Sequence, residues 1–381
     1  MQNRVATPID RSQLQHVKRL VIKVGSALLT DPDSGLDRPR IAAYCDEIAA
    51  LVADGMEVIL VSSGAVAEGC ARLGLSSRPE QIHELQAAAA VGQMGLVQAY
   101  ENALADHDCG TAMVLLTHED LADRQRYLNA RATLNQLLAH GVVPIINEND
   151  TVATDEIRFG DNDTLGALVA NLVQADLLMI LTDVDGLMDA DPRHNAQAKR
   201  VLSAAADDPA LDGMVGAGAG RLGRGGMLTK VKAARLGARS GASTVIVGGQ
   251  QARAISRVLA GEDIGTLLTA ELAPMAARKR WIAGQLRAKG SLQVDAGAAA
   301  ALKGQGVSLL AVGVTGVSGE FRRGDVVGVT DAQGQLLAQG LCNYSSAEVA
   351  VLTGARSEEF AERIGYRNEP ELVHRDNLVV L

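Results

Sequence analysis

The chain has 381 residues, 47% hydrophobic and 21% charged, with 40 glycines and a formal net charge of -9. That length suits two domains better than one core, and the composition excludes a disordered or collagen-like chain. Aromatic residues make up only 2%, too few for a nucleic-acid binder built on base stacking, and the acidic balance weighs the same way.

Residues 1–17 read as an N-terminal tail without the apolar run of a secretory signal. No stretch approaches the ~18 consecutive apolar residues of a spanning helix, so a cytoplasmic protein with no membrane contact is expected. Cys45, Cys70, Cys109 and Cys342 are widely spaced, which gives zinc no support, predicts no protein metal site and points to reduced, buried thiols. From residue 18 to about 270, short apolar runs alternate with helix-period segments. This predicts an α/β domain whose open, mostly parallel sheet is sandwiched by helices. Strands are expected at 20–24, 57–61, 112–116, 142–146, 177–181 and 244–247. Between the first two, Ile41, Tyr44, Cys45, Ile48, Leu51 and Val52 share one helical face, bounded by Asp37 as N-cap and Gly55 as stop. Further helices are expected at 84–105, 125–140, 164–174 and 226–241. The charged stretch 271–289 reads as a linker and the start of a second unit. Beyond it, β runs at 308–314, 325–330, 335–343 and 348–352 predict a small β-rich domain over 290–381.

Chemistry-bearing residues gather at the predicted strand ends, where ligands of open α/β sheets bind. Lys23 lies inside the first apolar strand with Gly25 just beyond. It is either a snorkelling edge lysine or a buried cation that requires an anion. The second strand ends in Ser62-Ser63-Gly64-Ala65, an ordinary turn or a set of hydroxyl and N–H groups at a helix start. Between Glu148 and Asp163 stand six carboxylates opposed by Arg158 alone. They form a solvated acidic loop or surround a cation such as a substrate ammonium, and Asp163 alone could be a plain N-cap. Thr182 and Asp183 follow the fifth strand, where they can line a nucleotide pocket. Gly216 to Lys230 is a glycine-rich loop that lacks the Walker spacing but delivers Lys230 at a helix start.

In this order the segments resemble the amino acid kinase family: Lys23-x-Gly25, Ser63-Gly-Ala65, Asn147-Glu-Asn-Asp150, Leu181-Thr-Asp-x-x-Gly-Leu187 with Ala190-Asp-Pro-Arg193, and Gly225-Gly-Met227 with Lys230. Pro144 to Asp150, Gly160-Asp-Asn-Asp163 and Leu128-Asn-Ala-Arg131 are similar to its glutamate-phosphorylating branch, and Arg278-Lys-Arg-Trp-Ile282 with the β-rich segment after it resembles a PUA domain. The resemblance implies transfer of a phosphoryl group from ATP, as the magnesium complex, to the γ-carboxylate of L-glutamate. It also implies inhibition by proline and a homo-oligomer, dimer or tetramer. Lys23 and Lys230 would stabilise the phosphoryl group and Asp163 would hold them. Ser63, Asp150 and Asn162 would hold the glutamate backbone. Lys23, Thr182, Asp183 and the loop Arg224, Gly225, Gly226, Met227, Leu228, Thr229 and Lys230 would bind ATP. Arg224 stands where the family has a small hydroxyl residue. The rivals are another amino acid kinase, such as acetylglutamate kinase or aspartokinase, and an RNA-associated protein acting through the PUA module. The acidic, aromatic-poor chain weighs against the last.

Overall fold

The computed structural model describes residues 10–31, 35–153, 162–191, 195, 197–215, 226–271 and 288–380, which divide into two units, 1–274 and 275–381. The first unit opens with a 3-10 turn at Arg11–His16, which buries Leu14 in the core where a tail was expected, and continues with β1 (Arg19–Val24), α1 (Ser26–Leu29), β2 (Thr30–Asp31), β3 (Gly35–Leu36), α2 (Arg38–Ala53) and β4 (Glu57–Val61). It continues with α3 (Ala65–Arg72), α4 (Ile82–Ala105), β5 (Thr111–Leu116), α5 (His118–Ala122), α6 (Arg124–Ala139), β6 (Val143–Glu148) and α7 (Asn162–Val173). It ends with β7 (Leu177–Thr182), β8 (Ser203–Ala205), α8 (Ala210–Met214), α9 (Met227–Arg239), β9 (Ser243–Gly248), α10 (Ala254–Leu259) and β10 (Thr266–Thr269).

All six strands expected from the apolar runs form, in an eight-stranded sheet ordered β5-β6-β4-β1-β7-β9-β10-β8. The added strands β8 and β10 are short, too short for a period to show, and β10 runs antiparallel to β9 while the other pairs are parallel. β1 lies between β4 and β7, so chain order reverses there and opens a crevice at the strands' carboxyl ends. Alternation along β1 then sorts the side chains. Leu20, Ile22 and Val24 join the core under α2, α4 and α10, while Val21 joins the opposite core, under α6 and α7. Lys23 shares the face of Val21. Gly166 of α7 makes room for it, since a Cβ there would stand 3.3 Å from the Lys23 Cβ.

The α2 cap is as predicted: the Asp37 carboxylate accepts from the Arg40 N–H, and Gly55 follows the helix with φ +86°. A second close approach joins α3 to α4. A Cβ on Gly69 would lie 1.7 Å from the Ala88 carbonyl oxygen, and one on Gly92 1.8 Å from that of Ala65. Only glycine permits this crossing, which fixes the turn Ser62-Ser63-Gly64 at the start of α3. Among the cysteines, Cys45, Cys109 and Cys342 are buried, Cys70 is partly exposed, and all four are free. No helix among the described residues is long and apolar enough to cross a membrane.

The second unit has a five-stranded sheet ordered β12-β11-β13-β14-β15: β11 (Gly290–Val294), β12 (Val314–Gly319), β13 (Val326–Thr330), β14 (Leu336–Leu341) and β15 (Leu378–Val380). Its helices are α11 (Ala296–Gln305), α12 (Ser346–Leu352) and α13 (Phe360–Ile364). Tyr344 and Phe360 meet edge to face in its core, centroids 5.4 Å apart. Two expected strands are corrected. Residues 348–352 are helical because Ser345 and Glu348 form a capping box and Val349 and Leu352 bury one helical face. Of 308–314, Leu309 makes only an isolated bridge to Val373, and Ala311–Gly313 coil into a 3-10 turn before β12 begins.

The crossing yields a stability prediction. Gly92→Ala should lower unfolding free energy by about 2–3 kcal/mol through overpacking, measured by urea denaturation. Gly213→Ala, with nothing within 4 Å of the added carbon, should leave it unchanged or slightly raised.

Candidate active site

Three elements converge at the β1 end. The Lys23 Nζ lies 2.6 Å from Asp163 Oδ1. From the first turn of α9, the Lys230 Nζ donates to Asp163 Oδ2 at 3.1 Å, and the Thr229 hydroxyl donates to the same oxygen at 2.7 Å. The snorkelling alternative is removed for Lys23, which is 5% exposed, with Lys230 at 4% and Asp163 at 0%. The N-cap alternative is removed for Asp163, which sits inside α7 with its carboxylate between the two lysines. Burial alone would raise the Asp163 pKa, but the two ammonium groups outweigh it and hold the carboxyl below its ordinary value. Burial also pushes Lys230 below the ordinary lysine value, with Asp163 pulling it back. Lys23 and Lys230 thus meet on one carboxylate beside the strand ends, with the Asp183 charge also acting on Lys230.

A second set of polar residues borders it. The Asn162 amide donates to the Ser62 carbonyl and the Ser63 hydroxyl, both at 2.9 Å, and to Asn147 Oδ1 at 3.2 Å. The Asn147 amide donates to Gln93 Oε1 of α4 at 2.9 Å, and the Ser62 and Tyr100 hydroxyls pair at 3.0 Å. Gly64, in the left-handed region at φ +105°, turns the chain from β4 into α3. Two buried acceptors, Asn162 Oδ1 and Asp150 Oδ1, receive no donor from the described residues. Burial and the neighbouring Glu148 charge push the Asp150 pKa up to about 7, with Arg78 opposing.

On the other side, buried Thr182 at the β7 end donates to Asp183 Oδ1 at 3.0 Å, and the Asp183 charge acts on Lys230. Gly226 caps α9, and Met227 and Leu228 follow, both partly exposed. Arg224 and Gly225 lie outside the described residues. The structure thus joins Lys23, Asp163, Thr229 and Lys230 in one group and Ser63 and Asn162 in another. Sequence reasoning missed Asn147 and Gln93. Their signal was a glutamine in the middle of an Ala/Gly-rich helix and an asparagine that follows the apolar run of β6, just before Glu148. Among the described residues no cluster of three His, Cys, Asp or Glu could hold a metal ion. Asp163 is already engaged by two lysines.

A lysine pair on one carboxylate thus lies at the point where a parallel sheet reverses order, where ligands of such sheets bind. The chain belongs to the amino acid kinase family, whose model matches residues 18–249, and a PUA domain model matches residues 290–364. Glutamate 5-kinase of Variovorax paradoxus (strain S110) is 59% identical over 368 residues, 97% of this chain and 97% of that one. Glutamate 5-kinase of Chromohalobacter salexigens is 58% identical over 372 residues, 98% of each chain. Among solved structures, UMP kinase from Ureaplasma parvum is similar at 17% identity and a TM-score of 0.46, over 66% of this chain and 99% of that one. Within the family, this chain groups with the glutamate 5-kinases.

If the lysines stabilise charge in the transition state, Lys23→Ala and Lys230→Ala should each lower kcat by ~10²–10³-fold with a smaller change in KM for glutamate. A variant within about threefold of wild type in kcat would take that lysine out of the chemistry.

Proposed function

We propose that the chain transfers the γ-phosphoryl group of ATP to the γ-carboxylate of L-glutamate, giving γ-glutamyl phosphate and ADP, the first step of proline biosynthesis. The observation that carries this reading is the buried Lys23–Asp163–Lys230 group, with Asn162 next to Asp163 in α7 presenting an acceptor that receives no donor from the described residues. The nucleophile, with a reference pKa of ~4.3, is ionised at neutral pH, so no general base is required. What must be overcome is repulsion between a carboxylate and a polyphosphate. Lys23 and Lys230 meet the charge on the phosphoryl oxygens in transit, and Asp163 keeps the two ammonium groups from driving each other apart. Asp150 faces the substrate's α-ammonium, with Asn162 Oδ1 as a second acceptor and the Ser63 hydroxyl beside it. Thr182, Asp183, Gly226, Met227, Leu228 and Thr229 line the nucleotide side, and the resemblance assigns Arg224 and Gly225 to ATP binding as well. Mg2+ would arrive with ATP and would neutralise phosphate charge.

Proline presents an α-ammonium and an α-carboxylate without a γ-carboxylate, so it occupies the glutamate position and inhibits. The kinase domain is assigned to 18–270, 271–289 to the linker and 290–381 to the PUA domain with the C-terminal tail. The protein is cytoplasmic and a homo-oligomer, dimer or tetramer. RNA binding as the main activity is not favoured, because the chain carries a formal net charge of -9 and only 2% aromatic residues.

The test is trapping of acyl phosphate by hydroxylamine. Purified protein with Mg-ATP and glutamate should give γ-glutamyl hydroxamate. N-acetylglutamate should be a poor substrate, because an amide facing Asp150 leaves a buried carboxylate unpaired. Comparable kcat/KM for the two would shift the reading to an acetylglutamate kinase. Proline inhibition should be relieved by added glutamate, and inhibition insensitive to glutamate would reject the shared site. The ionised form of Asp150 binds the ammonium, and its pKa stands near 7. kcat/KM for glutamate should therefore fall as pH drops through about 7; a limb near an ordinary carboxylate pKa of ~4 would contradict the role given to Asp150.

A further inference from the structure

Glu148 has no part in the reading above. It ends β6, opposite Leu116 of β5. Alternation sends Asn147 towards α4, where it bonds Gln93, and Glu148 to the opposite face, where α5 begins. Its side chain is 1% exposed, and neither carboxylate oxygen accepts a hydrogen bond from the described residues. The His118 Nδ1, on the first residue of α5, stands 3.5 Å from Glu148 Oε2, too long for a short charge-assisted bond. Two residues on, Asp150 is buried as well, with one oxygen lacking a donor.

Two buried carboxylates two residues apart repel one another, and their compensation is incomplete. Among the described residues, the groups facing them are the His118 imidazole from α5 and the Arg78 guanidinium from the segment between α3 and α4. An imidazole supplies charge only when protonated, and Arg78 does not release Asp150 from the Glu148 field. Structural carboxylates at this depth are normally met by two or three donors. A cation that enters with the substrate would supply what the described residues do not.

We propose that Glu148 is a positioning residue for the amino-acid ammonium: a second buried carboxylate, backed by His118, that sets the charge Asp150 presents to the substrate. This rests on the reading of Asp150 as the ammonium's partner. Glu148 acts through Asp150 and not on the phosphoryl group, so its influence falls on capture of glutamate. His118 acts in the opposite sense, because its imidazolium offsets the Glu148 charge. The pair makes capture of the amino acid dependent on pH between the ordinary ranges of a carboxylate and an imidazole.

The experiment is kcat/KM for glutamate against pH, from 5.5 to 8.5 at saturating Mg-ATP, on the full chain. Over that range neither the ammonium nor the γ-carboxylate of glutamate titrates, so the acid limb reports the free enzyme. Glu148→Gln should move the limb down by about one unit, the scale on which one nearby charge acts. His118→Gln should move it up, and Glu148→Asp, which keeps the charge, should leave it near wild type. For all three, kcat at saturating glutamate should stay within about threefold. A limb that does not move in Glu148→Gln, or moves the same way in Glu148→Gln and His118→Gln, would overturn the proposal. If His118→Gln fails to fold by circular dichroism, the contrast between Glu148→Gln and Glu148→Asp decides alone. Asp150→Asn is the control for the underlying reading: it should raise KM for glutamate at least about tenfold and abolish the limb. An unchanged KM there would sink the ammonium assignment together with this proposal, whereas a raised KM with an unmoved Glu148→Gln limb would sink only the proposal.

Discussion

Two ammonium groups buried against a single carboxylate set the terms for the rest of the first unit. Neither Lys23 nor Lys230 could stay desolvated and charged without Asp163, and Asp163 could not stay ionised without them. Each member comes from a different element. β1 supplies one lysine, the first turn of α9 the other, and the first turn of α7 the carboxylate, near the helix N-terminus where negative charge is favoured. The sheet topology makes the meeting possible, because β1 lies at the reversal of strand order and its alternation turns Lys23 towards α7. Gly166, without a side chain, lets helix and lysine stem approach. A network so divided gathers two ammonium groups at the carboxyl end of β1.

The amino-acid side is assembled differently, by amide and hydroxyl groups and not by paired charge. Gln93, Asn147, Asn162 and Ser63 form a chain of hydrogen bonds from α4 through β6 and α7 to the turn after β4. Its geometry depends on how closely α3 lies on α4, and therefore on Gly69 and Gly92. Side chains at those two positions would push the helices apart and carry the Ser63 turn away from Asn162. In this way a packing constraint between helices becomes a constraint on the geometry of this polar set.

Much of this was legible from the sequence, and the boundary has physical causes. The parallel-sheet strands announced themselves as fully apolar runs, because both faces are covered. Lys23 was conspicuous as a charge in such a run, and Asp163 as a carboxylate at a helix start. Their pairing across more than a hundred residues was reachable only through family resemblance, since no local period encodes it. Asn147 and Gln93 were passed over because uncharged polar residues in apolar segments resemble ordinary core exceptions. In the second unit, residues 348–352 read as a short β run rich in valine, yet Ser345 and Glu348 carry a capping-box spacing that starts a helix there. The turn at Ala311–Gly313 depends on Gly313 lying tight against Ala298, a tertiary contact.

The central claim is that Asp163 acts through the lysines and has no separate effect on the phosphoryl group. A double-mutant cycle on kcat tests it most directly, with Asp163→Asn, Lys230→Ala and the double variant measured at saturating glutamate and Mg-ATP. Groups that work as one unit are grossly non-additive, so the double variant should fall no more than about threefold below the slower single variant. Losses that multiply, with the double variant slower by the product of both single effects, would contradict the account and assign Asp163 an independent role.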